Sequence, residues 1–524
     1  MTNTAGSRKV VGIDLGTTFS AIAHVDQFGK PEIIPNAETE RITPSVILFE
    51  EREAIVGTTA KQSAVAEPEK IVDFVKREMG KSSEQFHREF HQRIYTAEEL
   101  SALIIRKLKK DAEKYTGATI TDAVITVPAY FNDAERTATV QAGRLAGLNV
   151  LRIINEPTAA AMAYGVNRSG AEETVVIFDL GGGTLDVTVM KVEASGIRML
   201  ASQGDHRLGG KDWDDEILHW AAAEFEITHG VNPLLDLQSY QDLYNRALAA
   251  KVQLTTRPKT ILVHSYHGKS IKLEITREGF EARCRHLVER CRTILELALE
   301  EVNLTPDAID RVVLSGGMTR VPAVRRMVQE LIPAPIAEDV NPDDCVALGA
   351  AIAGVLALFE EQRENGGNLV SPEVAGAFCQ ANGEPVTVTD ITTHTLGLVL
   401  WDHVKREEYV FPMIPKRTPI PAARRDAFGA AKGAMASATV RVVEGESSIP
   451  SECNLLGTCS IDFPRTIERG AAVEITYTYT RNQVLEVTIQ ACDRVNRVQI
   501  VRGSGFSEGQ IAERTAELDL IPVC

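Results

Sequence analysis

The chain has 524 residues, 44% of them hydrophobic and 24% charged, which are ordinary values for a protein of several globular domains. Its formal charge of −16 excludes a general electrostatic attraction to nucleic acid or to an anionic membrane surface. The eight cysteines form no Cys-x-x-Cys pair, which favours buried thiols in a reducing cytoplasm over a metal or redox site.

The N-terminal two thirds of the chain alternate β-branched runs with longer amphipathic runs, which predicts an α/β fold over residues 10–360. An apolar run at 346–359 is shorter than the ~20 residues that a transmembrane helix needs, so we interpret it as a buried helix and expect no membrane span. The clearest predicted helices are 97–115, 133–146 and 278–302, and the clearest strands are 122–127, 175–178 and 311–314.

Two Gly-rich turns of the same kind occur in this region. They are DLGTT at 14–18 and DLGGGT at 179–184, and each joins two strand-like runs. Such a turn lets backbone N–H groups face an anion, because no Cβ stands in the way. An Asp beside it would repel phosphate unless a cation lay between them. The repeated turn therefore predicts a clamp for a metal-bound nucleotide phosphate, built from two duplicated halves. It is not a P-loop, because that consensus is absent from the chain.

A third Gly turn, Gly316-Gly317, follows the predicted strand 311–314. Two adjacent Gly permit close approach of a flat group such as adenosine, but a plain strand-to-helix turn explains them equally well. Residues 360–385 are polar and Gly-rich, as in a linker or a long loop. The short alternating runs that follow, at 438–443, 472–480, 484–491 and 497–501, predict an all-β sandwich. Ser507-x-x-Gln510 then predicts the N-terminus of one short helix.

Four longer strings carry a resemblance to a known family. They are VGIDLGTT (11–18), ITVPAYFN (125–132), NEPTAAA (155–161) and FDLGGGT (178–184). Together they resemble the DnaK-type 70-kDa heat-shock chaperones, almost without gaps over residues 10–360 and more weakly beyond 386. The resemblance implies an actin-like ATPase domain of two duplicated, ribonuclease-H-like lobes, followed by a β-sandwich that binds peptide.

The resemblance also implies where the domains begin and end. We expect a nucleotide-binding ATPase domain at 8–364, a polar linker at 365–389, a substrate-binding β-sandwich at 390–503, and a short helix and tail at 504–524. The family's long helical lid needs more chain than this last segment provides, so we expect the lid to be absent.

Roles for single residues follow from the matching positions. The resemblance makes Lys76, Glu156, Asp186 and Thr184 catalytic, with Lys76 near the γ-phosphate and Glu156 and Asp186 orienting the attacking water. Read alone, Lys76 would be a solvated helix residue and Glu156 a helix cap. Asp14 and Asp179 would hold Mg²⁺ through water, with K⁺ as a second candidate ion. The residues that would bind ATP or ADP are Gly16, Thr17, Thr18, Gly181, Gly182, Gly183, Gly209, Gly210, Lys251, Gly316, Gly317, Arg320 and Asp343.

Two further sets match positions outside the nucleotide cleft. The set that links the domains or receives a J-domain partner is Pro128, Arg136, Arg152 and Asp390. The set that falls where the family lines its peptide groove is Trp401, Phe428, Ala431 and Ala438. For Trp401, a place in the core of the sandwich is an equally good interpretation.

Besides the lid, the chain departs from the family in the adenine pocket and in the linker. The family's adenine pocket has Glu, Lys and Arg on one helix, where this chain has Leu248, Lys251 and Val252. We therefore expect nucleotide binding weaker by about 1–3 kcal/mol. The family's Leu-rich linker is replaced by VTVTDI at 386–391, which buries less apolar area, so we expect looser coupling between the domains.

These features predict a cytoplasmic, ATP-dependent chaperone that hydrolyses ATP to control its hold on extended hydrophobic segments of unfolded proteins. A J-domain co-chaperone and a nucleotide exchange factor are its implied partners. One alternative is a nucleotide-gated adaptor for a dedicated partner. A more remote alternative is a small-molecule kinase of the actin-like superfamily, against which the Glu156 string and the sandwich both speak.

Overall fold

The structure, a computed structural model, describes residues 8–165, 172–193, 195–367, 369–379, 384–430, 435–481, 484–491, 494–499 and 506–524. The first lobe contains strands β1 (Val10–Asp14), β2 (Phe19–Val25), β3 (Pro31–Ile33), β4 (Thr43–Pro44), β5 (Ile47–Phe49), β6 (Ala54–Val56), β7 (Ile71–Val72), β8 (Arg88–Phe90), β9 (Arg93–Tyr95), β10 (Asp122–Val127) and β11 (Asn149–Asn155). Its helices, and the helix that leads to the second lobe, are α1 (Thr58–Ser63), α2 (Ala97–Thr116), α3 (Asp133–Leu145) and α4 (Glu156–Gly165).

The second lobe follows the same alternation of strands and helices. Its strands are β12 (Glu173–Leu180), β13 (Leu185–Glu193), β14 (Gly196–Asp205), β15 (Lys259–Tyr266), β16 (Lys269–Thr276) and β17 (Arg311–Ser315). Its helices, and the helix that returns to the first lobe, are α5 (Gly210–His229), α6 (Leu237–Thr256), α7 (Arg277–Arg283), α8 (Arg285–Glu301), α9 (Pro322–Leu331) and α10 (Cys345–Asn365). The single predicted helix 278–302 is interrupted at Cys284, so it forms α7 and α8.

Both lobes use one strand arrangement. In the first, β1 pairs antiparallel with β2 and parallel with β10, in the order β11-β10-β1-β2-β3. In the second, β12 pairs antiparallel with β13 and parallel with β17, in the order β17-β12-β13-β14. The two Gly-rich turns are the hairpin turns β1–β2 and β12–β13. The duplication predicted from the repeated turn is therefore present in the strand order.

Helices α4 and α10 join the lobes. α10 packs on the first sheet, α4 packs on the second, and the two helices pack on each other. Glycine permits this close crossing, because a Cβ on Gly349 would lie 1.8 Å from the Ala159 carbonyl oxygen. By length and composition alone, α10 could span a membrane, but 67% of its most apolar stretch is buried inside the fold. This burial agrees with the interpretation of 346–359 as a core helix.

The segment 365–389 is more ordered than its polar composition indicates. It contains helix α11 (Pro372–Ala377) and strand β18 (Thr387–Thr389). Val370 and Phe378 are buried against the core between the lobes. β18 pairs in parallel with the edge strand β14 and so extends the second sheet to β17-β12-β13-β14-β18. The overall polar composition of the segment gave no sign of these buried apolar side chains, because they are few and widely spaced.

The C-terminal third begins with two four-stranded antiparallel sheets, as predicted. Its strands are β19 (Leu396–Asp402), β20 (Glu407–Ile414), β21 (Ala422–Gly429), β22 (Met435–Glu444), β23 (Asn454–Ile467), β24 (Ala472–Tyr479), β25 (Leu485–Ala491) and β26 (Arg494–Gln499). The sheet orders are β20-β19-β22-β23 and β21-β24-β25-β26. The buried Tyr477 hydroxyl donates a hydrogen bond of 3.1 Å to the Gly397 carbonyl oxygen and so joins the sheets.

The last segment packs against the first lobe. Ser507 caps helix α12 (Glu508–Asp519) through the predicted box with Gln510. Leu518 is fully buried in the core of the first lobe, and Arg514 donates a hydrogen bond of 2.8 Å to Glu99. The Ala54 N–H donates to the Pro522 carbonyl oxygen at 2.9 Å, so the tail lies along β6. The expected absence of a helical lid stays a prediction.

Candidate nucleotide site

The two Gly-rich turns face each other across the cleft between the lobes. A Cβ added to Gly182 would lie 2.3 Å from the Thr18 hydroxyl oxygen, and one added to Gly183 would lie 2.4 Å from that of Thr17. The two turns therefore lie so close to each other that neither glycine position has room for a Cβ. Both turns line a cavity of about 470 Å³.

Most of the predicted nucleotide and catalytic residues line this one cavity. The two exceptions are Gly209 and Asp186. Gly209 lies directly behind the second turn, since a Cβ on it would come within 2.5 Å of the Gly183 backbone. Asp186 is buried beside the cavity on β13, and its carboxylate accepts a hydrogen bond of 3.2 Å from the Tyr130 N–H.

Neighbouring elements hold each turn in place. In the first turn, the Gly16 N–H donates to the Ser20 hydroxyl at 3.1 Å, and the Ser45 hydroxyl donates to the Gly16 carbonyl oxygen at 2.8 Å. In the second, the N-terminus of α5 supplies the support, because the N–H groups of Gly210 and Lys211 donate to the Gly181 and Gly182 carbonyl oxygens. The clamp is thus fixed from both lobes.

Lys76 lies in the short 3-10 helix Val75–Glu78 and points into the cleft. Its Nζ donates to the Glu156 carboxylate at the start of α4, and both side chains are less than a tenth exposed. Burial alone would lower the pKa of Lys76, but Glu156, Asp14 and Asp179 together raise it. Lys76 is therefore a buried cation rather than the solvated residue that its local sequence indicates.

Four carboxylates lie around Lys76. Burial, reinforced by the charge of Glu156, raises the pKa of Asp14 and of Asp186 to about 7. The same two causes raise the pKa of Asp179 well above its usual range. These carboxyl groups oppose one another's ionisation, and a divalent cation bound between them would relieve that repulsion.

The arrangement of these carboxylates bears on how a cation could bind. Among the described residues, no three His, Cys, Asp or Glu side chains are placed to ligate a metal directly. Asp14 and Asp179 come from equivalent strand ends in the two lobes, and Thr126 donates to Asp14 at 3.3 Å. This arrangement is compatible with Mg²⁺ held through water, because Mg²⁺ keeps several waters when it binds phosphates.

Arg77 is a site residue that the sequence did not reveal. Its guanidinium donates to the Gly183 carbonyl oxygen at 2.7 Å and to the Asp212 carboxylate at 3.0 Å. Asp212 in turn accepts a hydrogen bond of 2.8 Å from the Gly209 N–H. Arg77 thus ties the first lobe to the second turn. Its partners lie more than a hundred positions away, so no local pattern could have indicated this role.

We call the part of the cavity that Leu248, Val252 and Arg320 line the base end, because the resemblance places the adenine there. Aliphatic side chains form much of its wall. Leu248 and Val252 line it from α6, and Val252 is 56% exposed. Lys251 is occupied elsewhere, because its Nζ donates to the Gly210 carbonyl oxygen at 2.8 Å and to the Asp214 carboxylate at 2.9 Å. Lys251 therefore joins α6 to α5 in this structure.

Arg320 and the third Gly turn complete the base end. Arg320 is about half exposed and donates to Asp343 at 2.6 Å and to Asn341 at 3.1 Å. Gly316 has a φ of 80°, and a Cβ there would lie 2.3 Å from the Leu180 carbonyl oxygen. The turn thus needs glycine for backbone packing against β12 as well as lining the cavity with Gly317.

Comparison with known proteins identifies the family. The sequence profile of the family described as Hsp70 protein matches residues 10–518. "Chaperone protein DnaK" of Thermotoga neapolitana is 40% identical over 91% of this chain and 78% of its own length. Proteins of the same name from Thermus thermophilus and Emiliania huxleyi are 38% and 36% identical, each over 98% of this chain and over 84% and 82% of their own lengths.

The chain is a member of the Hsp70 family. It is accordingly an ATP-dependent chaperone with ATPase activity, built from a two-lobed, actin-like ATPase domain and a β-sandwich. The resemblance drawn from the four sequence strings is confirmed. Neither the adaptor nor the small-molecule kinase is favoured by these matches.

In this Hsp70 protein, the predicted linking residues lie where the sandwich meets the ATPase domain. Asp390 directly follows β18 and accepts a hydrogen bond of 2.7 Å from the Thr158 hydroxyl on α4. Burial raises the pKa of Asp390. Arg136 is buried and donates to Asn155 and to the Ala129 carbonyl oxygen, both at 2.8 Å. The Asp390–Thr158 contact connects the end of the linker to α4, the helix that carries Glu156.

Two other linking residues lie nearby. Pro128 stands at the end of β10, where its carbonyl oxygen accepts a hydrogen bond of 3.1 Å from the Phe131 N–H. Arg152 donates to Glu360 at 2.8 Å, and Glu360 also accepts from Arg481 of the sandwich at 3.1 Å. Arg417, which the sequence did not single out, donates from the sandwich to the Glu301 carbonyl oxygen at 2.7 Å.

The described groove residues lie on both sheets of the sandwich. Trp401 and Ala438 are on the sheet β20-β19-β22-β23, and Phe428 is on the sheet β21-β24-β25-β26. Trp401 is 48% exposed on β19, so it is not a core residue. Phe428 packs edge-on against Phe411 at 5.3 Å, and Ala438 is partly buried on β22. Ala431 lies outside the described residues. The structure thus leaves Trp401 available at the surface.

Proposed function

We propose that this Hsp70 protein holds ATP across the two Gly-rich turns and hydrolyses it beside Lys76, Glu156 and Asp186. The observation that carries the proposal is the buried Lys76–Glu156 pair, which lies between the turns in the same cavity. Hydrolysis of this kind depends mainly on positioning and on neutralising charge, and a buried cation between two phosphate-binding turns supplies both.

Each part of the cleft has a defined task in this proposal. Gly16, Thr17 and Thr18 in one lobe and Gly181 to Thr184 in the other offer N–H and hydroxyl donors to phosphate oxygens. Bound Mg²⁺, held by Asp14 and Asp179 through water, would neutralise charge on those oxygens. Lys76 stays protonated because three carboxylates favour its charged form. Glu156 and Asp186 orient the attacking water, whose proton must pass to a base.

We propose the domain limits that the sequence indicates, with the ATPase domain at 8–364, the linker at 365–389, the sandwich at 390–503 and the tail at 504–524. Extended hydrophobic polypeptide would bind on the sandwich near Trp401, Phe428 and Ala438. A J-domain co-chaperone and an exchange factor would act on the ATPase domain. A cytoplasmic location is proposed with them.

Coupling between the domains would pass through β18 and Asp390. β18 is a strand of the ATPase sheet, and Asp390 is hydrogen-bonded to α4, whose first residue is Glu156. A change at the catalytic carboxylate can therefore reach the sandwich through one helix and one hydrogen bond. The Val-Thr linker pairs with the sheet through β18, and the looser coupling expected from its small apolar area stays a prediction.

The test is the release of a fluorescent, extended hydrophobic peptide after mixing with ATP or with ADP. We expect ATP to speed release, and Thr158→Val to reduce this effect, because the nearly isosteric valine cannot donate to Asp390. Thr228→Val is the matched control, since the hydroxyl of Thr228 donates to the Glu224 carbonyl oxygen within its own helix. Equal release rates in ATP and ADP, with hydrolysis intact, would contradict coupling and favour the adaptor alternative.

A further inference from the structure

A second cavity, of about 750 Å³, lies against the phosphate end of the nucleotide cavity. The two cavities share four lining residues, Thr17, Phe74, Lys76 and Thr184. Three of these are the residues assigned above to the phosphate and to catalysis. At its other side the second cavity is lined by the exposed residues Gln85 and Arg207, so it reaches solvent. We call this second cavity the vestibule.

The vestibule has an excess of basic residues. Its described lining contains five Lys or Arg side chains but only two acidic ones, Glu78 and Glu135. The Glu135 carboxylate is already engaged at the N-terminus of α3, where it accepts a hydrogen bond of 2.8 Å from the Asn132 N–H. The basic lining residues are Lys76, Arg77, Lys81, Arg207 and Lys211.

The carboxylates that pair with these cations lie mostly outside the vestibule. Arg77 pairs with Asp212 and Lys211 with Asp215, and neither Asp lines the cavity. Lys81 pairs with Glu78 at the rim. Within the described part of the chain, the Arg207 guanidinium has no ion-pair partner. Arg207 is therefore the basic group of the lining whose charge is most open to a small anion.

The vestibule adjoins the place where the proposed hydrolysis would release phosphate. On the proposed function, hydrolysis leaves phosphate between Thr17, Lys76 and Thr184, with ADP filling the cavity on the base side. While ADP remains bound, that side is closed to the phosphate. The other side is bounded by the residues that the nucleotide cavity shares with the vestibule. A phosphate anion is attracted to the basic residues of the vestibule and is repelled by the carboxylates around Asp14 and Asp179.

We propose that the vestibule binds inorganic phosphate transiently and is the route by which the phosphate formed by hydrolysis leaves while ADP is still bound. This inference rests on the proposed function, because it needs hydrolysis at the shared residues. It assigns Arg207 and Lys81 to a step after the chemistry. Neither residue lines the nucleotide cavity.

The experiment separates hydrolysis from release in single turnovers of the full chain. Acid quenching reports ATP cleaved, and a fluorescent phosphate-binding protein reports phosphate free in solution. In Arg207→Glu and in Lys81→Glu we expect cleavage at the wild-type rate and phosphate release slowed roughly tenfold. Arg469→Glu is the matched control, because it makes the same charge change on an exposed arginine of the sandwich.

The possible outcomes are distinguishable. A lag between cleavage and free phosphate in both vestibule variants, absent from Arg469→Glu, supports the route. Release that keeps pace with cleavage in both variants, or that coincides with ADP release in the wild type, overturns it. Failure of the wild type to cleave ATP at all would instead overturn the proposed function. ADP affinity, measured on each variant, shows that the cleft is intact.

Discussion

The two ends of the nucleotide cleft are built from different chemistry. At the phosphate end, Lys76 and Glu156 are buried and paired, and Gly182 and Gly183 touch the opposite turn. At the base end, Val252 is mostly exposed and Arg320 is about half exposed. Charged contacts in a buried site are strong, and those at a solvent-exposed site are weak.

This difference separates two properties of the enzyme. On the proposed function, the phosphate end would control the rate of hydrolysis, because its groups would surround the reacting atoms. The base end would contribute affinity, and in this chain it has aliphatic side chains at two positions where the family has charged ones. We therefore expect substitutions at the phosphate end to have severe effects and those at the base end to have mild ones. At the base end, a substitution can either raise or lower the affinity for nucleotide.

The largest effect is expected from Gly183→Val. The added side chain would overlap Thr17, whose Oγ1 lies 2.4 Å from an ideal Cβ position. Separating the turns to relieve this overlap should weaken ATP binding roughly a hundredfold. Isothermal calorimetry measures the effect. The control is Gly376→Val on α11, where a Cβ has no neighbour within 4 Å. Wild-type affinity in Gly183→Val would show that the turns do not form the clamp.

A smaller loss is expected from Arg77→Ala. It removes two hydrogen bonds of a charged donor that fix the second turn. A hydrogen bond of a charged group is worth about 1.5–3 kcal/mol, and a loss of that size in transition-state stabilisation lowers kcat/KM about ten- to a hundredfold. Steady-state phosphate production measures this, with the exposed arginine variant Arg52→Ala as control. An unchanged kcat/KM would remove Arg77 from the site.

At the base end, a gain is expected from the double change Leu248→Glu and Val252→Arg. It restores the charge pattern that the family has on this helix. If those contacts are worth about 1–3 kcal/mol, the Kd for ADP should fall by about tenfold or more. Leu297→Glu with Val263→Arg adds the same charges at exposed apolar positions outside the cavity. Equal affinity in the two double variants would mean that the aliphatic pair does not limit binding.

The smallest effect is expected from Arg320→Ala. Stacking of an exposed arginine on an aromatic ring is worth about 0.5–1 kcal/mol, so KM for ATP should rise roughly two- to fivefold. KM should change more than kcat, in contrast to the variants at the phosphate end. The control is Arg325→Ala on α9, which removes the ion pair between Arg325 and Glu338. A large fall in kcat would break the division of tasks between the two ends.

The sequence was most informative where the signal is local. The strings around Gly16 and Gly182 carry the turn, the flanking strands and the adjacent Asp within a few residues, so both hairpin turns could be found directly. Lys76 could be assigned only through the resemblance, because its neighbours Arg77 and Glu78 give the segment the pattern of a solvated surface. Its burial depends on Glu156, 80 positions away.

Contacts between distant segments were the least predictable. Arg77 meets Asp212 across the cleft, Phe378 is buried although it lies in a polar stretch, and Leu518 enters the core of the first lobe. Composition and periodicity describe a segment by itself, so they cannot say which surface it packs against. The helix cap at Ser507 was predictable because it is local, but the place where α12 docks was not.

The measurement that tests the account most directly is single-turnover hydrolysis by Lys76→Ala at saturating ATP, with ATP affinity measured on the same preparation. We predict that ATP still binds, because the two turns remain, and that hydrolysis slows roughly a hundred- to a thousandfold. Hydrolysis at the wild-type rate by a variant that binds ATP normally would contradict the assignment of catalysis to the phosphate end.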